Sequence, residues 1–131
     1  MDEKVRYWLD LADYDFETAK AMLETKRFLY VGFMCHQVIE KSLKAVIAKN
    51  TGELPPKIHN LIRLSELSGK RDGLSEEHLE LLRILSPLNI ESRYPEYKKT
   101  IASGLTEEIC MKLTSETEEL LCWIKKQLSI T

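Results

Sequence analysis

Residues 30 to 48 carry the pattern that most restricts what this chain can fold into. Two rows of polar side chains run through the stretch, His36, Glu40 and Lys44 at spacings of four, with Gln37 and Lys41 beside them. Side chains three or four residues apart share a helix face. The stretch therefore predicts a helix with one core face and one face that binds or pairs. The core face follows mostly the same spacing of three or four and consists of Val31, Met34, Cys35, Val38, Ile39, Val46 and Ile47.

The rest of the sequence also shows helical spacing, with no alternation of apolar and polar residues typical of a strand. Residues 89–104 form the longest segment without a clean helical stripe, because Pro87 ends or kinks the helix before it. The pattern predicts an all-α, up-and-down helical bundle of four to five helices, in a single domain over residues 1–131. The five predicted helices span about residues 2–24, 28–50, 58–67, 75–87 and 106–128.

Composition agrees with a small globular domain. Hydrophobic residues make up 44% of the chain and charged residues 31%, so disorder is not expected. The N-terminus has no secretory pattern, and no apolar run approaches the roughly 20 residues that cross a bilayer. We therefore expect a cytoplasmic protein without a membrane partner. The three cysteines are odd in number and widely spaced, which predicts neither disulfides nor a metal site, and no cofactor is expected.

Charge is unevenly distributed along the chain. The net charge of −2 argues against a protein that coats nucleic acid by bulk electrostatics, and no DNA partner is expected. Residues 41–71 are nevertheless locally basic, with only Glu53 and Glu66 as acidic residues. Two interpretations remain open, solvated helix faces or a phosphate-facing patch. The cations of this stretch are Lys41, Lys44, Lys49, Lys57, Arg63, Lys70 and Arg71.

Several motifs give the chain a family resemblance. An aromatic residue, Tyr30 or Phe33, is followed by Gln37, Glu40, Lys41, Leu43, Lys44 and Ala45 in the pattern Gln-x-x-Glu-Lys-x-Leu-Lys-Ala. Three further motifs occur in the expected order: a Trp-containing opening helix at residues 7–12, then His59-Asn60-Leu61, then Arg93-Tyr94-Pro95. The chain resembles HEPN domains, the nucleotide-binding domains of higher eukaryotes and prokaryotes, over nearly its whole length.

The resemblance implies one of two functions. The Arg-Tyr-Pro sequence is similar to that of non-nucleolytic HEPN domains encoded beside a small nucleotidyltransferase as a toxin–antitoxin-like, two-component module. This implies a homodimeric nucleotide-binding protein without activity of its own, whose partner supplies metal and chemistry. The alternative is a metal-independent HEPN ribonuclease that acts on RNA. Its signature places a histidine several residues after the arginine, and none follows Arg93 here, so His36 or His59 would have to substitute.

The resemblance and the residue pattern together nominate a set of site residues, each with a structural alternative. Glu40 and Lys44 have the i,i+4 orientation of an intrahelical ion pair. Arg93 could clamp a phosphate or could pair with Glu40 or Glu91 across the bundle. His59 could contact a ligand or only shape the turn after the prolines. The predicted ligand-binding residues are His36, Gln37, Glu40, Lys41, Lys44, Arg93 and Tyr94, with Arg93 and His36 as the catalytic candidates of the alternative.

Overall fold

Six α-helices and two short 3₁₀ turns make up the described part of the chain, which covers residues 2–90 and 94–129 in a computed structural model. No strand occurs within these ranges, which confirms the all-α prediction. The 3₁₀ turns lie at Arg71–Gly73 and Ser86–Leu88. The helices are α1 (Glu3–Glu24), α2 (Phe28–Thr51), α3 (Leu61–Leu67), α4 (Glu76–Leu85), α5 (Pro95–Ser103) and α6 (Glu107–Ser129).

Helix boundaries follow local capping chemistry. The side chain of Asp2 accepts a hydrogen bond from the backbone N–H of Lys4 at 2.7 Å and begins α1. Ser75 and His78 form a reciprocal capping box at the start of α4, and Thr106 caps α6 by accepting from the Ile109 N–H at 3.2 Å. Gly52, with φ of 70°, ends α2 in the left-handed conformation that glycine adopts most easily. Aspartate, serine and threonine are residue types that favour the N-cap position, which explains where α1, α4 and α6 begin.

The three long helices build the core. The turn between α1 and α2 is three residues long, so the two helices run antiparallel and pack along most of their length. Helix α6 packs on α2 from the other end of the chain. Val5, Ala12 and Ala19 of α1 are fully buried against this core. Helix α2 is the central helix, because residues on every side of it are buried.

Two predicted boundaries differ from the structure. Helix α3 begins at Leu61 rather than near residue 58, because the Asn60 side chain accepts from the Arg63 N–H at 3.0 Å and fixes Asn60 as the cap. Residues 89–104 contain a helix, α5, that the sequence pattern missed. This helix is nine residues long and has no fully buried residue, so the sequence offers too few apolar positions to mark it. Its first residue is Pro95, whose fixed φ suits the first helical position.

Candidate functional site

The site is centred on the carboxylate of Glu40, halfway along α2. Glu40 is only 3% exposed, yet three basic side chains converge on it. The Lys44 ammonium donates to Oε2 at 3.1 Å. The His59 Nδ1 lies 3.0 Å from Oε2 and 3.1 Å from Oε1, and the His36 Nδ1 lies 3.7 Å from Oε1. The carboxylate is thus held from within its own helix and from the connector that precedes α3.

Chain geometry explains how these groups meet. His36, Glu40 and Lys44 stack one turn apart on α2, as their spacing predicts. His59 comes from the connector 52–60, in which Pro55 and Pro56 exclude helix and Asn60 caps the start of α3. The connector is also tied to α1, because the Lys4 ammonium donates to the Gly52 carbonyl at its beginning at 2.8 Å. These constraints place the His59 imidazole in contact with the Glu40 carboxylate.

The pair of Glu40 and Lys44 confirms the intrahelical contact that the spacing suggests, but its surroundings are not those of a surface pair. The Lys44 side chain is 6% exposed, and its ammonium also lies 5.4 Å from the centre of the Trp8 ring on α1. An ammonium over an aromatic face is attracted by the ring quadrupole. Lys44 therefore links the carboxylate to an aromatic residue of the neighbouring helix.

His36 lies in the core and is 1% exposed. Burial lowers the pKa of its imidazole to about 4, against a partial opposing effect of the Glu40 carboxylate, so the ring is neutral at pH 7. An imidazole with the ordinary pKa near 6.5 exchanges protons readily near pH 7, so the lowered pKa weakens His36 as a catalytic candidate. A hydrogen bond with the backbone of His59 favours the charged form. His36 is therefore placed to hold the His59 backbone, and its ring does not reach solvent.

His59 is the residue that connects the buried network to the surface. Its side chain is 57% exposed, although its Nδ1 bonds to a carboxylate that is 4% exposed. Because a carboxylate accepts, Nδ1 carries the proton and the other ring nitrogen of the neutral imidazole is an acceptor. An imidazole oriented in this way can accept a proton or a hydrogen bond from a ligand. From the sequence, His59 could either contact a ligand or shape a turn. It lies 19 residues from Glu40, and no helical spacing predicts that the two side chains meet.

The second predicted row of α2 is only partly available to a ligand. The Lys41 ammonium forms an ion pair with Asp15 of α1, whose side chain is 9% exposed, so this cation joins two helices. Gln37 is half-buried, and its amide nitrogen lies 3.4 Å from the His36 Nδ1. Lys41 therefore serves helix packing, whereas Gln37 lies beside the network.

The second predicted segment, Arg93-Tyr94-Pro95, is divided by the limits of the described residues. Arg93 and Glu91 lie outside them, so the predicted pairing of Arg93 with Glu40 or Glu91 lies outside them as well. Tyr94 is the N-cap residue of α5 and is 80% exposed. Its ring is therefore accessible to a ligand or to another protein.

Much of the locally basic stretch is occupied by contacts within the protein. Lys41 pairs with Asp15 and Lys44 with Glu40. Lys49 donates to the Leu128 carbonyl at 2.7 Å, and Arg63 lies 3.6 Å from Glu66. These four cations do not form one continuous phosphate-facing patch.

Metal-ligand clusters and long apolar helices are both missing from the described ranges. No group of three histidine, cysteine, aspartate or glutamate side chains in residues 2–90 and 94–129 could hold a metal ion. None of the helices described is sufficiently long and apolar to cross a membrane.

Comparisons with known proteins agree on the fold. The crystal structure of TT1696 from Thermus thermophilus superposes with a TM-score of 0.81 at 18% identity, over 95% of this chain and 98% of that chain. No curated protein matches the sequence significantly. The family model described as HEPN domain matches residues 5–127. Because that match covers almost the whole chain, including every residue of the Glu40 network, the protein belongs to the HEPN domain family.

Proposed function

We propose that this protein is a homodimeric, nucleotide-binding HEPN module that acts beside a small nucleotidyltransferase in a toxin–antitoxin-like pair. In this proposal the partner supplies the metal and the chemistry, and the chain described here supplies part of the nucleotide surface. The observation that carries the proposal is the buried Glu40 carboxylate, which orients the half-exposed His59 imidazole toward solvent.

Energetics favour a binding role for this network over a purely structural one. Burying a carboxylate and an ammonium costs several kcal/mol of desolvation for each ion, and well-packed apolar residues often stabilise a fold as well or better. The Glu40 and Lys44 side chains are 4% and 6% exposed, so both incur this cost. The network also reaches the surface at His59, whereas a purely structural network could be buried completely. Convergent polar groups next to an aromatic residue are typical of ligand sites.

The predicted residues take different roles in this proposal. His59 belongs to the network and Gln37 lies beside it, and both contact the ligand because neither is fully buried. His36, Glu40 and Lys44 position His59 and set the local charge. Tyr94 and Arg93 remain proposed ligand contacts on the basis of the family resemblance, and Tyr94 has the exposure that such a contact requires.

Exposed apolar side chains on α5 and α6 support the proposed homodimer. Tyr94 is 80% and Tyr97 41% exposed at the beginning of α5, and Ile109 and Met111 of α6 are 43% and 57% exposed. Apolar surface of this kind is stabilised by contact with a second protein. A symmetric dimer is the commonest way for a small soluble protein to cover it.

Purification from the source cells tests whether the protein associates with a nucleotidyltransferase, and titration tests whether it binds a nucleotide. We expect a small nucleotidyltransferase to co-elute in a fixed ratio, and light scattering to report an assembly that contains two copies of this chain. Calorimetric titration with nucleoside monophosphates should show binding that His59→Ala weakens about tenfold, the effect of one or two lost hydrogen bonds. His78→Ala is the matched control, because His78 caps α4 and takes no part in the Glu40 network. If the purified assembly contains no second protein, the proposal of a nucleotidyltransferase partner loses its support.

The orientation of His59 favours one alternative function, a metal-independent ribonuclease. In that reaction the His59 imidazole takes the proton of the ribose 2′-hydroxyl, the 2′-oxygen bonds to phosphorus, and the bond to the 5′-oxygen breaks as that oxygen gains a proton from solvent. His36 is poorly suited to the role, because it is 1% exposed. RNA cleavage in EDTA that disappears in His59→Ala and in Arg93→Ala supports this alternative. Intact RNA after incubation with the purified wild-type protein rejects it.

A further inference from the structure

A groove of about 410 Å³ opens at the first turns of α1. Its lining comes from two elements, the beginning of α1 and the connector that leads to His59. The connector is fastened to α1 by the hydrogen bond from the Lys4 ammonium to the Gly52 carbonyl. The volume lies within the range of pockets that take small molecules, about 300 to 1,000 Å³. The lining residues are Glu3, Lys4, Tyr7, Trp8 and Leu54.

The groove brings together large apolar side chains that are unusually exposed. Tyr7 is 58% and Leu54 75% exposed, and the Tyr7 and Trp8 rings meet edge to face with centroids 5.3 Å apart. The indole N–H of Trp8 is buried without a hydrogen-bond partner among the described residues. A buried indole N–H is normally paired, so Trp8 gains stability if a small movement lets it donate to a bound molecule.

Trp8 lines the groove and also contacts Lys44 of the Glu40 network. The Lys44 ammonium lies 5.4 Å from the Trp8 ring centre and 3.1 Å from the Glu40 Oε2. The same connector carries Leu54 at the groove and His59 at the network. The groove and the exposed His59 side chain therefore lie on one short length of the connector.

We propose that the groove formed by Tyr7, Trp8 and Leu54 binds the nucleobase of the nucleotide whose polar part contacts His59. This inference rests on the proposed nucleotide-binding function and names the position of the base. A nucleobase is planar and has a π-face that stacks on aromatic side chains, whichever base it is. Tyr7 and Leu54 offer flat and aliphatic contact surface, and the exposed His59 imidazole is the group of the network that meets the polar part of the nucleotide. The groove should therefore bind purines and pyrimidines with little discrimination.

The test compares ligands with and without a base on variants that keep the fold. The protein is used in the assembly state in which it is purified, and the ligands are AMP, UMP and ribose 5-phosphate. Both Tyr7→Ala and Leu54→Ala remove exposed side chains and should fold normally. Tyr14→Ala is the matched control, because Tyr14 is a 73% exposed tyrosine of the same helix that does not line the groove. In a Trp123→Phe background, Trp8 is the only tryptophan and reports binding by its fluorescence.

We expect AMP and UMP to quench Trp8 fluorescence and to bind about tenfold more tightly than ribose 5-phosphate, which lacks the stacking contribution. Tyr7→Ala and Leu54→Ala should each weaken AMP binding several-fold, with Tyr14→Ala unchanged. If AMP binds the wild type and the two groove variants equally, or no more tightly than ribose 5-phosphate, the groove is not the base site and the proposed nucleotide function stands. If none of the three ligands binds, the nucleotide function fails and the groove assignment fails with it.

Discussion

The His59 Nδ1 lies 3.0 Å from the Glu40 Oε2, so an imidazole that is more than half exposed is oriented by a carboxylate in the core. This contact joins α2 to the connector before α3 and divides the network into two parts. His36, Glu40 and Lys44 are buried and fix the orientation of His59, whose ring is exposed at the surface. Changes to the buried part should therefore alter stability, and changes to His59 should alter binding.

The Glu40 and Lys44 charges should be strongly coupled. Glu40→Gln leaves the Lys44 ammonium buried without a counter-charge, and we expect the free energy of unfolding to fall by about 3 to 5 kcal/mol. The double variant Glu40→Gln with Lys44→Met removes both charges and should lose about 1 to 3 kcal/mol less than the sum of the two single variants. Urea denaturation of the four proteins measures this coupling. Additive losses would contradict a paired, buried network.

Stability should fall below neutral pH because of His36. Its pKa is about 4 in the folded protein and about 6.5 in the unfolded chain, so the unfolded chain binds the proton first as the pH falls. The stability that the folded protein owes to neutral His36 is fully present above about pH 6.5 and is lost progressively between that pH and about pH 4. By pH 5 the loss should be about 2 kcal/mol.

The variant His36→Gln isolates this contribution, because glutamine does not titrate. Urea denaturation at pH 7 and at pH 5 should show a loss for the wild type that exceeds the loss for the variant by about 2 kcal/mol. Parallel losses in the two proteins would mean that other groups cause the pH dependence.

The tautomer of His59 can be observed directly. Because Nδ1 donates to Glu40, the neutral ring should carry its proton on Nδ1, although free histidine prefers the other nitrogen. Nitrogen-15 chemical shifts of the imidazole at pH 8 distinguish the two forms. His78 serves as the internal reference, since its Nδ1 is 3.5 Å from the Ser75 backbone N–H and therefore accepts rather than donates. A His59 spectrum with the proton on Nε2 would remove the basis for both proposed roles of this residue.

The ion pair of Lys41 with Asp15 should matter more than an exposed pair between α1 and α6. Lys41→Met leaves Asp15 buried without its cation, and we expect a loss of about 2 kcal/mol. Lys125→Met is the matched control, because Lys125 pairs with Asp13 while both side chains are about half exposed. Exposed pairs contribute little, so this variant should lose about 0.5 kcal/mol or less. Equal losses measured by thermal denaturation would contradict the assigned burial of Asp15.

The helical spacing of apolar residues predicted the helices that bury one face, but it missed α5, which has no fully buried residue. The long helices α1, α2 and α6 were predicted nearly to their ends, because burial of a stripe and capping by Asp2 and Thr106 are both visible in the sequence. Helix α5 is nine residues long and has no fully buried residue, so its apolar positions are too few to reveal it. Its start depends on the geometry of Pro95, which a pattern of hydrophobicity does not record.

An all-α bundle, its capping residues, the i,i+4 row of His36, Glu40 and Lys44, and the HEPN resemblance can all be recognised in the sequence. Caps and the row depend on residues within two helical turns, and the resemblance rests on short motifs in order along the chain. Helix packing, by contrast, buries this row, pairs Lys41 with Asp15 and brings His59 to Glu40. Burial and contacts between distant residues depend on how separate helices pack, and spacing along one helix does not encode which neighbour covers each face.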